Sequence, residues 1–431
     1  MREMKDSGIA WIGEIPKEWE VCRLKDVGFL YGGLTGKAGD DFSVEDEDSY
    51  ALFIPFTNIF NNDFIDINNL HKVKVNEGEN QNEVNQGDLL FLMSSEDVDG
   101  IGKPSLLRYS VKQLYLNSFC KGLRITSEKV EPEFLFYLLS SQMMREQVRM
   151  EAKGFIRINL QQDKLAGCSI MLPPLFEQHL ISSYLDAKCS EIDSALSLQE
   201  QMISELRAYK QSLITETVTH GLNPNAKMKN SGVEWIGEIP EGWEVVRHKQ
   251  LMHKIKDIQE HYNGENIISL SRNGVIVRDL NAGGKMPTTF DGYQKVYPGN
   301  LLMCLFDIDV TPRCIGLIND YGVTSPAYSQ FELNEKAYAP YYNWLLTYID
   351  DNKCLLHLSK NLRSSLTETD FGAIPTILPP LSEQHSIASF LDEKCAEIDA
   401  LIVLREKKME ALKEYKKSLI YECVTGKKQV I

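Results

Sequence analysis

No run of 18 apolar residues occurs in this chain of 431 residues, so no segment has the makings of a membrane-spanning helix. The first residues lack a basic stretch followed by an apolar one, which argues against a secretory leader and sets the expectation of a cytoplasmic protein with no membrane partner. Cysteine pairs at metal-binding spacing are missing too. The nine cysteines, at 22, 120, 168, 189, 304, 314, 354, 395 and 423, are odd in number and never stand as Cys-x-x-Cys, which argues against a zinc ribbon and a disulfide framework. They are expected to be reduced, partly buried thiols. Positive charge is scarce: 46 Lys and Arg against 61 Asp and Glu leave a net charge of −15. Contact with phosphates would therefore have to come from local patches.

What the chain does have is a second beginning. Met4–Lys25 and Met228–Lys249 are identical at 15 of 22 positions and carry four of the five tryptophans, Trp11, Trp19, Trp235 and Trp243. Further anchors follow in the same order in both halves: VNQGDLL and VYPGNLL, then PEFLFYLL and PYYNWLLT. The longest, LPPLFEQHLISSYLDAKCSEIDSAL from Leu172, matches LPPLSEQHSIASFLDEKCAEIDALI from Leu378 without a gap at an offset of 206. Between anchors the residues differ freely, so the chain reads as a duplicated unit with a shared frame and individual contents.

Between the Trp block and LPPL each copy shows short β-branched or aromatic runs broken by Gly, Asn and Asp, with one short helix after Pro132 and one after Pro340. The expected fold class is α+β, with two mixed α/β globular domains. After LPPL the character changes: neither Pro nor Gly occurs at 176–220 or 382–425, which predicts two helices of roughly 40 residues. Ser382 is the expected N-cap of the second; Phe176 cannot cap, so the first must start differently. An apolar stripe at spacings of three and four runs through Leu185, Ile192, Ala195, Met202, Leu206, Tyr209 and Leu213, widened by Leu196 and Ile203. Its counterpart is Leu391, Ile398, Leu401, Leu412, Tyr415 and Leu419, widened by Ile402 and Met409. Such stripes describe a coiled-coil seam, and the nearest partner for each helix is the other, in an antiparallel pair with a globular domain at either end. The alternative is a single helix packed on its own domain.

The duplicated W-I-G-x-I-P-x-x-W block, variable domains of about 150 residues, and L-P-P-L-x-E-Q opening a long helix together resemble the specificity subunit of a type I restriction-modification system. The resemblance covers nearly the whole chain. It implies target-recognition domains at 1–172 and 223–378, long spacer helices at 173–222 and 379–431, and an internal pseudo-twofold. It also implies double-stranded DNA as the ligand, one half of a split site for each domain. Two modification (methyltransferase) subunits would dock on the helices and restriction subunits would join them. S-adenosylmethionine belongs in the methyltransferase partner, ATP and magnesium in the restriction partner, and no cofactor in this chain.

The residues offer support of their own. From Gly100 to Ser127 there is no Asp or Glu, while Lys103, Arg108, Lys112, Lys121 and Arg124 occur. A second acid-free window, Ala152 to Gln162, holds Lys153, Arg157, Asn159, Gln161 and Gln162. In the second half Arg272 is a further candidate, and 352–367 holds Lys353, Lys360, Asn361 and Arg363 without an acid. Arg and Lys suit phosphates and guanine edges; Asn and Gln suit adenine. Acid-free windows also occur on ordinary surfaces.

Catalytic readings fail one by one, and no catalytic or metal-binding residue is assigned. GGLTGKAG at 32–39 has the wrong glycine spacing for a phosphate loop and Ala38 where a hydroxyl should hold magnesium; it is read as a flexible loop. His179 and His385 each stand without a second histidine at ligand spacing. Glu177 and Glu383 lie near a helix N-terminus with no paired acid. LPPL lacks both the polar residue and the aromatic that flank the prolines in the base-holding motif of amino-methyltransferases. Two other readings stay open: a protein scaffold organised by the helices, and the recognition part of a related system whose methylase and nuclease are fused. Trp11, Trp19 and their copies are read as a staple joining domain to helix.

Overall fold

The computed structural model describes residues 2–9, 11–42, 50–76, 78–97, 99–154, 157–272, 274–281, 287–311, 313–356 and 364–430. The chain divides into two compact units, Met1–Gln199 with Lys407–Ile431, and Glu200–Glu406. Each unit therefore takes its globular part, the start of one long helix and the end of the other.

The first unit opens on a hairpin of Met4–Asp6 and Glu14–Pro16. The next strand, Glu20–Arg23, pairs antiparallel with Ser169–Leu172, the strand that runs into the double proline. Proline has no N–H to extend a ladder, so the strand stops and the first long helix, Leu175–His220, begins. The central sheet is antiparallel, in the order Gly28–Gly32, Cys120–Ile125, Leu89–Leu92, Pro104–Leu106. Phe134, Leu135 and Leu138 of the short helix Pro132–Ser140 bury themselves in one core with Trp19, Ile181 and Leu185. Each fully buried side chain of this kind contributes about 1.5–3 kcal/mol. A smaller three-stranded sheet, Leu114–Leu116, Ala51–Ile54 and His71–Val73, is added to this frame.

The second unit repeats the frame. Met228–Asn230 pairs with Glu238–Pro240, and Glu244–Arg247 with Pro375–Leu378. Its four-stranded sheet has the same order: Met252–Ile255, Ser329–Leu333, Leu301–Met303, Ile315–Leu317. The contents differ, as free variation between the anchors requires: two antiparallel pairs, Ile268–Ser271 with Gly274–Val277 and Gln294–Val296 with Gly322–Thr324, joined by a parallel bridge between Ile267 and Val323, stand where the first unit has its three-stranded sheet.

The long helices are continuous over 46 residues (Leu175–His220) and 44 residues (Leu381–Val424). Their starts correct the sequence reading. Pro174 O accepts from the amides of Glu177 and Gln178 at 2.8 and 3.1 Å, and Pro380 O from those of Glu383 and Gln384 at 2.9 and 3.0 Å. Both helices thus start alike, on a proline carbonyl, and Ser382 lies inside the first turn instead of capping it.

Packing also moves the seam. Within the second unit Arg207 meets Glu406 at 3.0 Å and Lys210 meets Asp399 at 2.6 Å, so one helix ascends as the other descends. Within the first unit Lys416 meets Asp193 at 2.7 Å, the same pair shifted by 206 in both partners. Leu185, Ile192, Leu391, Ile398 and Leu419 are buried. Leu196, Met202, Leu206, Leu213 and Leu412 are partly so. Tyr209, Leu401 and Tyr415 are not seam residues: they are 58%, 45% and 52% exposed. The positions that close the heptad are Ile203 and Ile402, already in the widened stripes, together with Cys189, Gln199 and Lys210 on one helix and Cys395 and Lys416 on the other. A lysine serves there because its methylene stem covers apolar surface while its ammonium reaches the facing aspartate.

His248 occupies the place that Leu24 holds in the first copy, and both are fully buried. The imidazole stacks on Phe371 with ring centroids 4.5 Å apart, and its Nε2 finds no hydrogen-bond partner among the described residues. Burial pushes its pKa down to about 4. Between there and the ordinary value near 6.5 the unfolded chain binds a proton that the folded one refuses, so stability falls as pH drops through that window, by roughly 3 kcal/mol in all. His248→Leu is expected to abolish this acid lability in the second unit, read by denaturation midpoints at pH 7 and pH 4.5; an unchanged difference would refute it.

Candidate nucleic-acid interface

The E-Q dipeptide that opens each long helix mounts the globular part on the helix. Trp19 Nε1 donates to Glu177 Oε2 at 3.1 Å, and Trp243 Nε1 to Glu383 Oε2 at 2.7 Å. Arg2 adds an ion pair to Glu177. Gln178 is fully buried: its Oε1 accepts from Glu131 N at 2.9 Å, and its Nε2 donates to Lys129 O and Pro173 O, both at 2.8 Å. Gln384 does the same with Tyr338 N at 2.7 Å and with Lys336 O and Pro379 O at 2.9 Å. Each glutamine ties the loop before the short helix to the prolines before the long one. The histidine that follows lies against the same loop, His179 at 3.5 Å from Glu131 and His385 stacked on Tyr338 at 3.7 Å. Trp19 and Trp243 are buried, whereas Trp11 is 42% exposed and Trp235 partly covered. At the far end of each helix, Gly426 packs on Pro16 and Trp19 and Gly221 on Trp243; both have φ above +70°, where a side chain would be strained.

On this mount the candidate cations divide into braces and free groups. Arg124 is a brace: its Nη2 reaches Asp88 Oδ2 at 2.8 Å and Glu83 O at 2.6 Å, and Asp88 holds its pKa above the ordinary value. Arg108 is another, 2.5 Å from Asp186 and 3.5 Å above the Phe64 ring. Lys103 donates to Phe60 O at 2.8 Å, and burial pulls its pKa down. Lys353 bridges Thr311 O and Asp350 Oδ1, each at 3.0 Å. Lys112 is exposed, and Lys121 is partly covered on the central sheet. The loop 32–39 is pinned, with Lys37 at 2.6 Å from Glu79 and Gln81 accepting from Thr35 N at 3.0 Å.

Lys153, Arg157 and Asn159 come together. Lys153 and Asn159 exchange both backbone hydrogen bonds, at 3.0 and 2.9 Å, and Arg157, between them in sequence, is exposed as they are. Ile158 and Asn159 pair with Ser95 and Ser94, which roots the loop in the unit. Arg157 lies over the ring of Phe119, 5.4 Å from its centroid. Gln161 is exposed beside the loop, while Gln162 donates to Leu30 O at 3.3 Å. In the second unit Arg272 is exposed on a turn and lines a groove of about 650 Å³ with Arg313, Asn319, Trp344 and Asp392. Lys360, Asn361 and Arg363 lie outside the described residues, but their loop's exit is rooted as in the first unit, with Leu366 N donating to Leu305 O at 2.8 Å.

Sequence reasoning missed Phe119 and Arg145. Arg145 is buried and donates to Asp99 O and Ile101 O at 2.7 and 2.8 Å, organising the loop beside Ser94 and Ser95. Nothing in the local sequence marks it. Phe119 was visible as the aromatic of an acid-free window, N-S-F-C-K-G-L-R, an available signal.

Residues 16–206 match the type I restriction modification DNA specificity domain. Over 97% of its length, and 96% of the relative's, the chain is 27% identical to the putative type I restriction enzyme MjaX specificity subunit of Methanocaldococcus jannaschii. It is 23% identical to the EcoKI specificity subunit of Escherichia coli over 63% of this chain and 53% of that one. Two solved structures share the fold at 16% identity. One, a chain from work on complex assembly and conformational transition of the type I R-M system, has a TM-score of 0.70 and covers 96% of this chain and 99% of its own. The other, the HsdS subunit from Thermoanaerobacter tengcongensis, has a TM-score of 0.56 over 96% and 98%. Along nearly its whole length the chain is thus similar to specificity subunits of type I restriction-modification systems, and its first half carries their DNA specificity domain.

Proposed function

We propose that this chain is the non-catalytic DNA-recognition subunit of a type I restriction-modification complex, each globular part reading one half of a bipartite site. The observation that carries this is the twofold mount: the same Trp, Glu and Gln contacts hold two differently filled reading parts on equivalent helix ends. A frame repeated with unlike contents is what two half-sites of different sequence ask for. Two modification subunits docking on the helices would bring S-adenosylmethionine and the methyl-transfer chemistry; restriction subunits would bring ATP and magnesium. A net charge of −15 fits a subunit that grips DNA only inside a complex with more basic partners, in the cytoplasm. Sequencing the methylome of the host with and without this gene tests the reading. Modification at one bipartite motif should vanish with the gene; a methylome that does not change would overturn it.

The helices are the proposed ruler between the half-sites. Four helix-forming residues inserted after Leu198 add about 6 Å and leave the following seam about 40° from its old direction, whereas two residues turn it by about 200°. Ile203, Leu206, Lys210 and Ile214 follow the insertion. The four-residue variant is expected to keep both half-site sequences and lengthen the spacer by up to about two base pairs at 3.4 Å each. The two-residue variant should lose specific modification. Methylation-site sequencing decides, and changed half-site bases with the original spacer would rule out the ruler.

A further inference from the structure

Among the candidate arginines of the first unit, Arg157 differs from Arg108 and Arg124 in having no acid to hold it. Each of those two is paired with an aspartate, whereas among the described residues no carboxylate lies within ion-pair distance of Arg157. Its contact is the face of Phe119, itself 56% exposed. A large aromatic left open to water is normally a loose accident of a surface loop; this one is built. Asn117 Oδ1 accepts from Phe119 N at 3.0 Å, Cys120 N donates to Asn117 O at 3.0 Å, and Asn117 N donates to Ile54 O at 3.2 Å. Gly33 lies so close beneath that a Cβ there would stand 2.1 Å from Asn117 O. On the side of Arg157 the backbone at Gly154 is constrained too. Gly154 has φ +140°, and a Cβ on it would stand 2.1 Å from Arg157 O, so a side chain is excluded on both counts. The built turn therefore sets the Phe119 ring facing the Arg157 guanidinium, 5.4 Å from its centroid, with the exposed Lys153 and Asn159 alongside.

We propose that Phe119 is a positioning residue for DNA reading: it holds the Arg157 guanidinium as a fixed fork toward a guanine of the half-site read by the first unit. The proposal rests on the function given above and names the pair that delivers part of its specificity. A free arginine sweeps many rotamers. Stacking on an aromatic face removes most of that freedom while leaving the N–H edge open, and guanine O6 and N7 accept such an edge bidentately. The ring acts on the base only through the arginine, which makes the two substitutions interdependent.

The test uses the full chain assembled with its modification subunits, and measures methylation rates on duplexes in which each position of the first half-site is varied in turn. Arg157→Ala is expected to reduce discrimination at one G·C pair by roughly 5- to 150-fold, with the second half-site untouched. Arg157→Lys should lose that discrimination too, since it keeps the charge but not the fork. Phe119→Ala should lose part of the discrimination at the same pair, and Phe119→Tyr should restore it. Once Arg157 is alanine, removing Phe119 should change that position no further. The inference is overturned if Phe119→Ala slows all sequences alike, as a wedge between base pairs or a merely structural aromatic would, or if the two losses add independently. A wild-type complex that modifies no defined sequence would sink the proposed function itself; intact specificity with an inert Phe119 would sink only this inference.

Discussion

Trp19→Ala is expected to destabilise the first unit by about 3–5 kcal/mol, the usual range for emptying a buried aromatic site. The indole is wholly buried and meets Phe134 edge-on, with centroids 6.4 Å apart. Its removal leaves a cavity among the hairpin, the short helix and the end of the second long helix, where Gly426 packs on it. Glu177 would keep its Arg2 partner, so most of the loss is packing, not hydrogen bonding. Trp19→Phe separates the two: it retains most of the volume and removes the N–H, and should cost nearer 1 kcal/mol. Amide hydrogen exchange resolves where the change falls. Protection should drop in residues of the first unit, including Lys407–Val424, and not in Glu200–Glu406. A loss under 1 kcal/mol for Trp19→Ala would mean that the tryptophan is not the staple described here.

Gln384→Leu should be about as damaging to the second unit, for a different reason. The side chain is fully buried and makes three hydrogen bonds, to one amide and two carbonyls. Leucine fills the space but leaves Tyr338 N–H and the carbonyls of Lys336 and Pro379 without that partner, at about 1–3 kcal/mol for each buried group left unsatisfied. A total of roughly 3 kcal/mol or more is expected by denaturant titration. Tyr338 also precedes the short helix Ala339–Asp351, so the helix start should loosen with it. His385→Ala, one residue on and exposed, is the control and should stay within about 1 kcal/mol of wild type. Equal effects of the two substitutions would show that the buried clamp matters no more than the surface contact beside it. In function, Gln384→Leu should weaken recognition of one half-site before the other, because the clamp of the first unit, Gln178, is intact.

These two residues were conspicuous in the sequence as repeated words before their contacts were known. Repetition at a constant offset marked Trp19 with Trp243 and Gln178 with Gln384, and a stretch without Pro or Gly marked each long helix. Such features are local or periodic, so they survive in a one-dimensional reading. The repeat could not say what the words did. The words gave the glutamines no role; the structure does, closing the strand, the prolines and the loop before the short helix around them.

The sequence by itself determined the duplication, the α+β class, the two long helices and, from their matched apolar stripes, their antiparallel pairing. Only the tertiary structure decided the phase of the seam and which arginines are free. Each helix carries more apolar positions at spacings of three and four than one seam can use. Burial therefore chose Cys189, Ile203 and Ile402 over Tyr209, Leu401 and Tyr415, and placed Lys210 and Lys416 opposite Asp399 and Asp193. The acid-free windows misled for a related reason. Freedom from acids along the chain says nothing about acids that folding brings from elsewhere, and Asp88 and Asp186 reach Arg124 and Arg108 across 36 and 78 residues. Arg157 escaped because what folding brings beside its guanidinium is the aromatic ring of Phe119. Charge pairing is a property of distance in three dimensions, falling with separation through space and indifferent to separation along the chain.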